Sequence, residues 1–355
     1  MRFRSRQVAW LLMPALVVGT VALGTSVATA GVSAKGGKLA SATLNEDGST
    51  FQLAFQQEAA ARFQKQNSAV TINVAGGGSG KGRTDFTNQV VDLAGTDGLF
   101  KPTDPAPKGG PYDYIPFVSA PVTVSYNLSS VKGLQLSSDT IAKIFSRQIK
   151  TWDNPAIKAD NPKATLPSTA ITVAHRSDAS GTTQQFTQYL MTVSPSIWTL
   201  GAGATVPWPA DTQAGNGNPG VANIVKSTDG AVGYVDFSDA RAAGLSFASV
   251  KNSAGKFIAP SVAATTAALQ GVKLATDGTY NPLNSPNAKA YPITAPTWML
   301  VYVNQTDPAK GAALKAYLTF VLTDGQKFAS AVDFAPLPPA FVKATLARVN
   351  AIKVP

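Results

Sequence analysis

The side chains best equipped for ligand chemistry lie between Val173 and Phe186, in the run Val-Ala-His-Arg-Ser-Asp-Ala-Ser-Gly-Thr-Thr-Gln-Gln-Phe. Ile171 to Val173 alternates as a short strand. Thr182 to Met191 has helical spacing, with Phe186, Tyr189 and Leu190 on one face. A strand that passes into a helix through Ser-Gly-Thr leaves the first backbone N–H groups of that helix unpaired and pointing outward. With the positive end of the helix dipole, those groups form a seat for an anion. Ser180 and Thr182 add hydroxyl donors, and Arg176 adds a permanently charged, two-pronged grip on an oxyanion. An N-capped helix with a surface ion pair fits the same residues.

A second candidate is the glycine-rich turn Ala75-Gly-Gly-Gly-Ser-Gly-Lys-Gly82. A nucleotide-binding P-loop needs glycine at its first position and a hydroxyl after the lysine. Here those positions hold Ala75 and Gly82, so the magnesium-holding hydroxyl is missing and an ATPase is disfavoured. A dinucleotide fingerprint is no better supported. What remains is a loop whose backbone can approach an anion closely, with Ser79 opening the next helix. Asp97, at the end of the strand Val91 to Thr96, reads either as a turn residue before Gly98 or as a ligand-facing acceptor.

Enzyme chemistry finds few candidates. His175 is the single histidine of the chain and lies beside Arg176, where a packed or solvated ring is the simpler reading than a general base. Ser180 lacks the Gly-x-Ser-x-Gly elbow of a hydrolase nucleophile. One histidine and no cysteine cannot supply the usual metal clusters of phosphatases. No catalytic residue, metal or cofactor is therefore assigned.

The elements that must position these residues follow a strand–loop–helix alternation. Phe55, Ala59 and Phe63 share a helix face, and Val70, Ile72 and Val74 alternate as a strand before the glycine-rich turn. A second helix runs from the turn through Val90. A proline- and glycine-rich loop, Lys101 to Pro116, leads to a strand with Val122, Val124 and Tyr126. Ser137-Ser138-Asp139 opens a helix, and Trp152-Asp-Asn-Pro155 closes a turn. After a Gly/Pro-rich loop, Gly201 to Gly220, a short helix (Val221 to Lys226) precedes the apolar strand Ala231 to Phe237. Trp298 to Val303 reads as a central strand. Closing helices carry Leu314, Tyr317, Leu318 and Val321, then Phe341 to Val349. This is the pattern of an α/β protein whose ligands gather at loop ends.

The N-terminus reads as an address. Arg2, Arg4 and Arg6 precede the apolar run Val8 to Leu23, and Ala28-Thr29-Ala30 resembles a cleavage site. Export by a cleaved Sec-type signal over residues 1–30 is expected, with a small-residue linker after it and about 325 residues in the mature chain. Without cysteine, a lipid anchor on an N-terminal Cys and any disulfide are excluded. No later window is long and apolar enough for a membrane span. The formal charge is +10 over 355 residues. Its lysines and arginines are scattered and never form the dense run of a nucleic-acid binder.

Taken together and in order, several segments resemble one family, the PstS-type phosphate-binding receptors of high-affinity ABC phosphate importers. Gly48-Ser-Thr-Phe51 is similar to that family's first ligand loop, Gly78-Ser79-Gly80 to its second, and Ala94-Gly-Thr-Asp97 to its strand-end aspartate segment. Arg176-Ser-Asp-Ala-Ser-Gly-Thr182 matches its strongest motif, Arg-x-Asp-x-Ser-Gly-Thr. Ile149-Lys-Thr-Trp152-Asp, Gly233-Tyr-Val, Tyr291-Pro-Ile-Thr294 and Phe334-Ala-Pro-Leu-Pro338 match its framework.

The resemblance implies a two-lobed, type II periplasmic-binding-protein fold of α/β class, with a ligand cleft between lobes and a hinge of crossing segments. Lobe I would combine residues 41–120 with 292–355, and lobe II would hold 121–291. It implies phosphate contacts from Thr50, Phe51, Ser79 and Asp97 on one side of the cleft, and from Arg176, Ser180, Gly181 and Thr182 on the other. Thr50 and Phe51 would act through backbone or hydroxyl donors, and Asp178 would orient Arg176 from behind. Its partners would be inorganic phosphate and a membrane permease, with no nucleic acid. The protein would be a monomer in the periplasm or cell envelope. Gln52, Lys81, Arg83 and Thr96 depart from the family pattern.

Asp97 gives this reading its physical content. A carboxylate repels an anion unless the anion brings a proton to donate. Phosphate has such a proton at neutral pH and sulfate has none. An acid buried without that proton would be an unpaired charge, which costs several kcal/mol. One acceptor among many donors therefore admits phosphate and rejects sulfate. The alternatives are a receptor for another tetrahedral oxyanion (sulfate, arsenate, molybdate) and a secreted phosphate-binding relative outside transport.

Overall fold

A computed structural model describes residues 38–355, and the expected signal segment lies outside them. The chain opens with β1 (Ala42–Gly48), α1 (Leu53–Gln66), β2 (Val70–Ala75), α2 (Ser79–Thr87) and β3 (Leu93–Thr96). The middle of the chain begins with β4 (Tyr112–Tyr126), β5 (Gln135–Leu136), α3 (Ser138–Phe145), α4 (Pro155–Asp160) and β6 (Thr172–Arg176). It continues through α5 (Gly181–Val193), β7 (Gln213–Gly215), α6 (Gly217–Ser227), β8 (Ala231–Asp236) and α7 (Phe237–Ala242). Short strands β9 (Ser246–Phe247), β10 (Ser249–Lys251) and β11 (Phe257–Ile258) come before α8 (Val262–Leu269). The last elements are β12 (Thr294–Tyr302), α9 (Pro308–Phe328), β13 (Ala335–Pro336) and α10 (Pro339–Ala351).

The strands of the main sheet run in the order β2-β1-β3-β12-β4-β8-β6-β7. Parallel pairing joins β1 to both β2 and β3, and β6 to both β7 and β8. The two parallel groups are linked by antiparallel pairing of β12 with β3 and β4, and of β4 with β8. Parallel strands that alternate with helices are covered on both faces, which is why β3 and β8 are buried along their whole length. The strand β12 is equally buried, as the central antiparallel strand between β3 and β4.

The hydrophobic patterns of the sequence explain most of these elements. Phe55, Ala59 and Phe63 of α1 are all buried, with Phe55 packed against Phe117, Phe328 and Phe334. In the β6–β8 group of the sheet, Phe186 stacks on Tyr234 and meets Phe145 edge-on. Ser137 caps α3 by accepting from the Thr140 N–H, and Asn154 caps α4 with Pro155 at its first turn. The sequence pattern had shown only a turn there.

The main difference from expectation is β4. The loop expected to reach Pro116 ends at Tyr112, and the strand then runs for 15 residues through two prolines. Both prolines sit where the ladder needs no donor from them. Pro116 lies at the bulge where the register to β12 shifts between Thr297 and Trp298. Pro121 lies where β4 exchanges partners, since pairing with β8 begins at Val122. One strand thus runs unbroken through both groups of the sheet.

Candidate functional site

The first part of the site is built at the carboxyl ends of β1 and β3. Asp97, one residue past β3, is completely buried. Its Oδ2 accepts from Ser49 Oγ at 2.5 Å and from Ser79 Oγ at 3.3 Å, and its Oδ1 accepts from Thr297 Oγ1 at 2.7 Å. A carboxylate offers roughly four acceptor positions, so three hydroxyls leave it room for one more donor. Burial raises the carboxyl to about 6, against the opposing pull of the Ser49 and Thr297 hydroxyls and the Arg176 charge. At neutral pH it remains mainly ionised.

The second part is the β6–α5 turn. Arg176, at the end of β6, is buried, and its Nε donates to Asp178 Oδ1 at 2.7 Å while its Nη2 donates to Asp178 Oδ2. Nη1 donates to Thr182 Oγ1 at 3.4 Å. Two guanidinium N–H groups are left over. Burial pushes the Asp178 carboxyl up, but the bonds and charge of Arg176 outweigh it and hold the carboxyl below the usual range. Asp178 also accepts from the Gly217 N–H at 3.0 Å. Ser180 caps α5, its Oγ accepting from the Thr183 N–H at 3.1 Å. Among the described residues, the N–H groups of Gly181 and Thr182 have no protein acceptor.

Two glycines let these parts approach. A Cβ on Gly78, whose φ is +90°, would fall 2.3 Å from Asp178 Oδ2. A Cβ on Gly181 would fall 2.4 Å from Ser79 Oγ and 2.8 Å from Asp97 Oδ2. The backbones themselves touch where the Gly80 N–H donates to the Ala179 carbonyl at 2.8 Å. The structure therefore brings Ser79 and Asp97 against Arg176, Ser180, Gly181 and Thr182, as the sequence motifs require.

Thr50 joins the same cluster through Asn218 on α6, whose backbone N–H and Nδ2 donate to Thr50 Oγ1 at 3.1 and 3.2 Å. Phe51 is a core residue. Its ring packs edge-on to Phe334 and its N–H donates to Ser49 Oγ at 3.0 Å. Ser49, Thr297 and Asn218 were not singled out in the sequence. Ser49 lies inside the recognised Gly48–Phe51 loop. Asn218 sits one residue before Pro219, a helix-start signal that was available.

The family departures have local explanations. Lys81 pairs with Asp47 at 2.6 Å and with Asp85, so its charge is balanced at the surface. Arg83 donates to Thr96 Oγ1 at 3.0 Å and to the Gly98 carbonyl at 3.1 Å, bracing the turn that carries Asp97. Gln52 is buried, and its Nε2 reaches the Trp298 carbonyl at 3.5 Å. His175 stacks on Trp208 and bonds to the Arg176 carbonyl and Thr212 through its two ring nitrogens. It is a packing residue on the far side of Arg176. Among the described residues, no cluster of His, Cys, Asp and Glu is arranged to hold a metal ion.

The chain resembles known proteins over most of its length. Residues 33–325 match the family described as the PBP superfamily domain. The phosphate-binding protein PstS of Methanocaldococcus jannaschii is 39% identical over 317 residues, covering 82% of this chain and 81% of that protein. Phosphate-binding protein PstS 3 of Mycobacterium tuberculosis (strain ATCC 25618 / H37Rv) is 34% identical over 346 residues, covering 93% and 92%. Among solved structures, the phosphate-bound periplasmic phosphate-binding protein PfluDING superposes with a TM-score of 0.71 at 23% identity, over 86% of this chain and 93% of that one. That likeness fixes the two-lobed type II binding-protein fold expected from the motifs. On the match across its length, the chain belongs to the PBP superfamily and, within it, to the PstS-type phosphate-binding proteins.

Proposed function

We propose that the protein binds inorganic phosphate between Asp97 and the β6–α5 turn and delivers it to the membrane permease of an ABC importer. The observation that carries the reading is Asp97: one buried carboxylate, with room for one further donor, set among hydroxyls and against the donor-rich β6–α5 turn. The donors would come from Thr50, Ser79, Arg176, Ser180, Gly181 and Thr182, with Asp178 holding Arg176 in place. Phe51 contributes to this site through its backbone position and its core packing.

The lobes are assigned as residues 41–120 with 292–355 and residues 121–291, and β4 and the approach to β12 form the crossing segments. Lobe closure joins the donors of one side to the acceptor of the other. The protein acts outside the cytoplasm as a monomeric receptor and not as an enzyme. The two relatives named above support this reading, since both are phosphate-binding proteins by name.

The test is calorimetry with phosphate, arsenate and sulfate on protein stripped of copurifying anion. Phosphate and arsenate, which carry a proton at neutral pH, are expected to bind and sulfate is not. Sulfate binding as tight as phosphate would reassign the protein to another oxyanion. No binding of any of the three would remove the receptor reading.

A further inference from the structure

Resting on that reading, the donor count around Asn218 yields one more assignment. Asn218 is the second residue of α6 and is fully buried. Its backbone N–H and one Nδ2 hydrogen go to Thr50 Oγ1, at 3.1 and 3.2 Å. The other Nδ2 hydrogen goes to Thr182 Oγ1 at 3.1 Å. Its Oδ1 accepts from the Asp236 backbone N–H at 3.4 Å. A backbone N–H can only donate, so the amide oxygen must face Asp236 and the amide nitrogen must face the two threonines.

A hydroxyl oxygen accepts two hydrogen bonds and donates one. Both acceptor positions of Thr50 are filled by Asn218, and those of Thr182 are filled by Asn218 and by Arg176 Nη1 at 3.4 Å. Among the described residues, neither hydroxyl donates to a protein acceptor. Each proton is therefore directed away from Asn218. Thr50 follows β1 and Thr182 opens α5, so one amide also ties together loops from opposite sides of the site.

We propose that Asn218 is a positioning residue that fixes Thr50 and Thr182 as obligate hydroxyl donors to the anion and links the two sides of the cleft. Asp97 is then left as the one acceptor of the site. Donors that can only donate suit an anion with few protons. Without Asn218, Thr50 rotates freely and Thr182 keeps only the Arg176 donor, so both hydroxyls can accept as well as donate and that match is weakened.

The experiment measures phosphate affinity of the parent and of Asn218→Ala at pH 6 and pH 8 by calorimetry, with Asn218→Ser replacing the alanine variant if that does not fold. The charged groups around these hydroxyls, Asp97, Asp178, Asp236 and Arg176, are the same in parent and variant, so the loss is read as the ratio of the two at each pH. The expected result is at least a tenfold loss at pH 8, where phosphate carries fewer protons, and a smaller loss at pH 6. A loss of less than threefold at pH 8, or an equal loss at both pH values, overturns the assignment and leaves Asn218 a packing residue. A parent protein that binds no phosphate overturns the receptor reading itself, so the two failures are distinguishable.

Discussion

Three of the N–H groups of Arg176 are engaged by Asp178 and Thr182, and the proposed site would use the remaining two. Arg176→Ala should lower phosphate affinity at least tenfold, since a charge-assisted bond is worth about 1.5–3 kcal/mol and Asp178 would also lose its partner. Titration of the purified variant checks this. Unchanged affinity would take Arg176 out of the site. Asp97→Asn keeps the shape but adds an N–H₂ donor. Phosphate should still bind, and sulfate should gain measurably in competition. If sulfate stays as strictly excluded as in the parent, selectivity resides in cleft size or in the donors. A third carboxylate matters for stability. Glu46 is buried on β1 and pushed up to about 8 by burial and by the charge of Asp47. Its folded value lies above its unfolded one, so the stability it contributes is present below the unfolded value and is lost as pH rises towards 8. Glu46→Gln should therefore raise the melting temperature relative to the parent at pH 9 and change it little at pH 5.

The turn from β6 into α5 is short enough in sequence that its chemistry could be read before its structure. Strand end, arginine, cap and helix start fall within seven residues, Arg176 to Thr182, and local rules decide all four. Gly181 is the position where that element meets the other side. Gly181→Ala should leave the far-ultraviolet spectrum intact but cost at least a hundredfold in phosphate affinity, because its Cβ would collide with Ser79 and Asp97. Affinity within threefold of the parent would mean that the two loops do not need this approach. Thr297 and Asn218 escaped the sequence because their importance comes from partners 200 and 168 residues away, Asp97 and Thr50. The start of β4 was hidden for the opposite reason. Pro116 and Pro121 are strong local loop signals, overridden by a bulge and by an exchange of sheet partners that no local pattern announces.

For the whole molecule, contacts drawn from both sides of the cleft predict that phosphate compacts the protein and raises its melting temperature. A ligand that binds only the native state adds about 2.7 kcal/mol at a hundredfold excess over Kd. Small-angle scattering and a thermal scan on stripped and loaded protein test this, and identical curves would argue for a rigid relative. The pairing of β3 has a different consequence, in the timing of synthesis. One edge of β3 pairs with β1, but the other pairs with β12, where Thr96 faces Trp298. A chain that emerges amino end first, from a ribosome or a translocation pore, holds Ser49, Ser79 and Asp97 early yet cannot close their sheet until residues 294–302 arrive. The first-made half is thus the last to be finished. Chains cut short before Thr294 should stay open to protease and bind no phosphate, although they carry the whole Arg176–Thr182 motif. That delay would keep the chain threadable through a narrow pore until almost all of it had crossed.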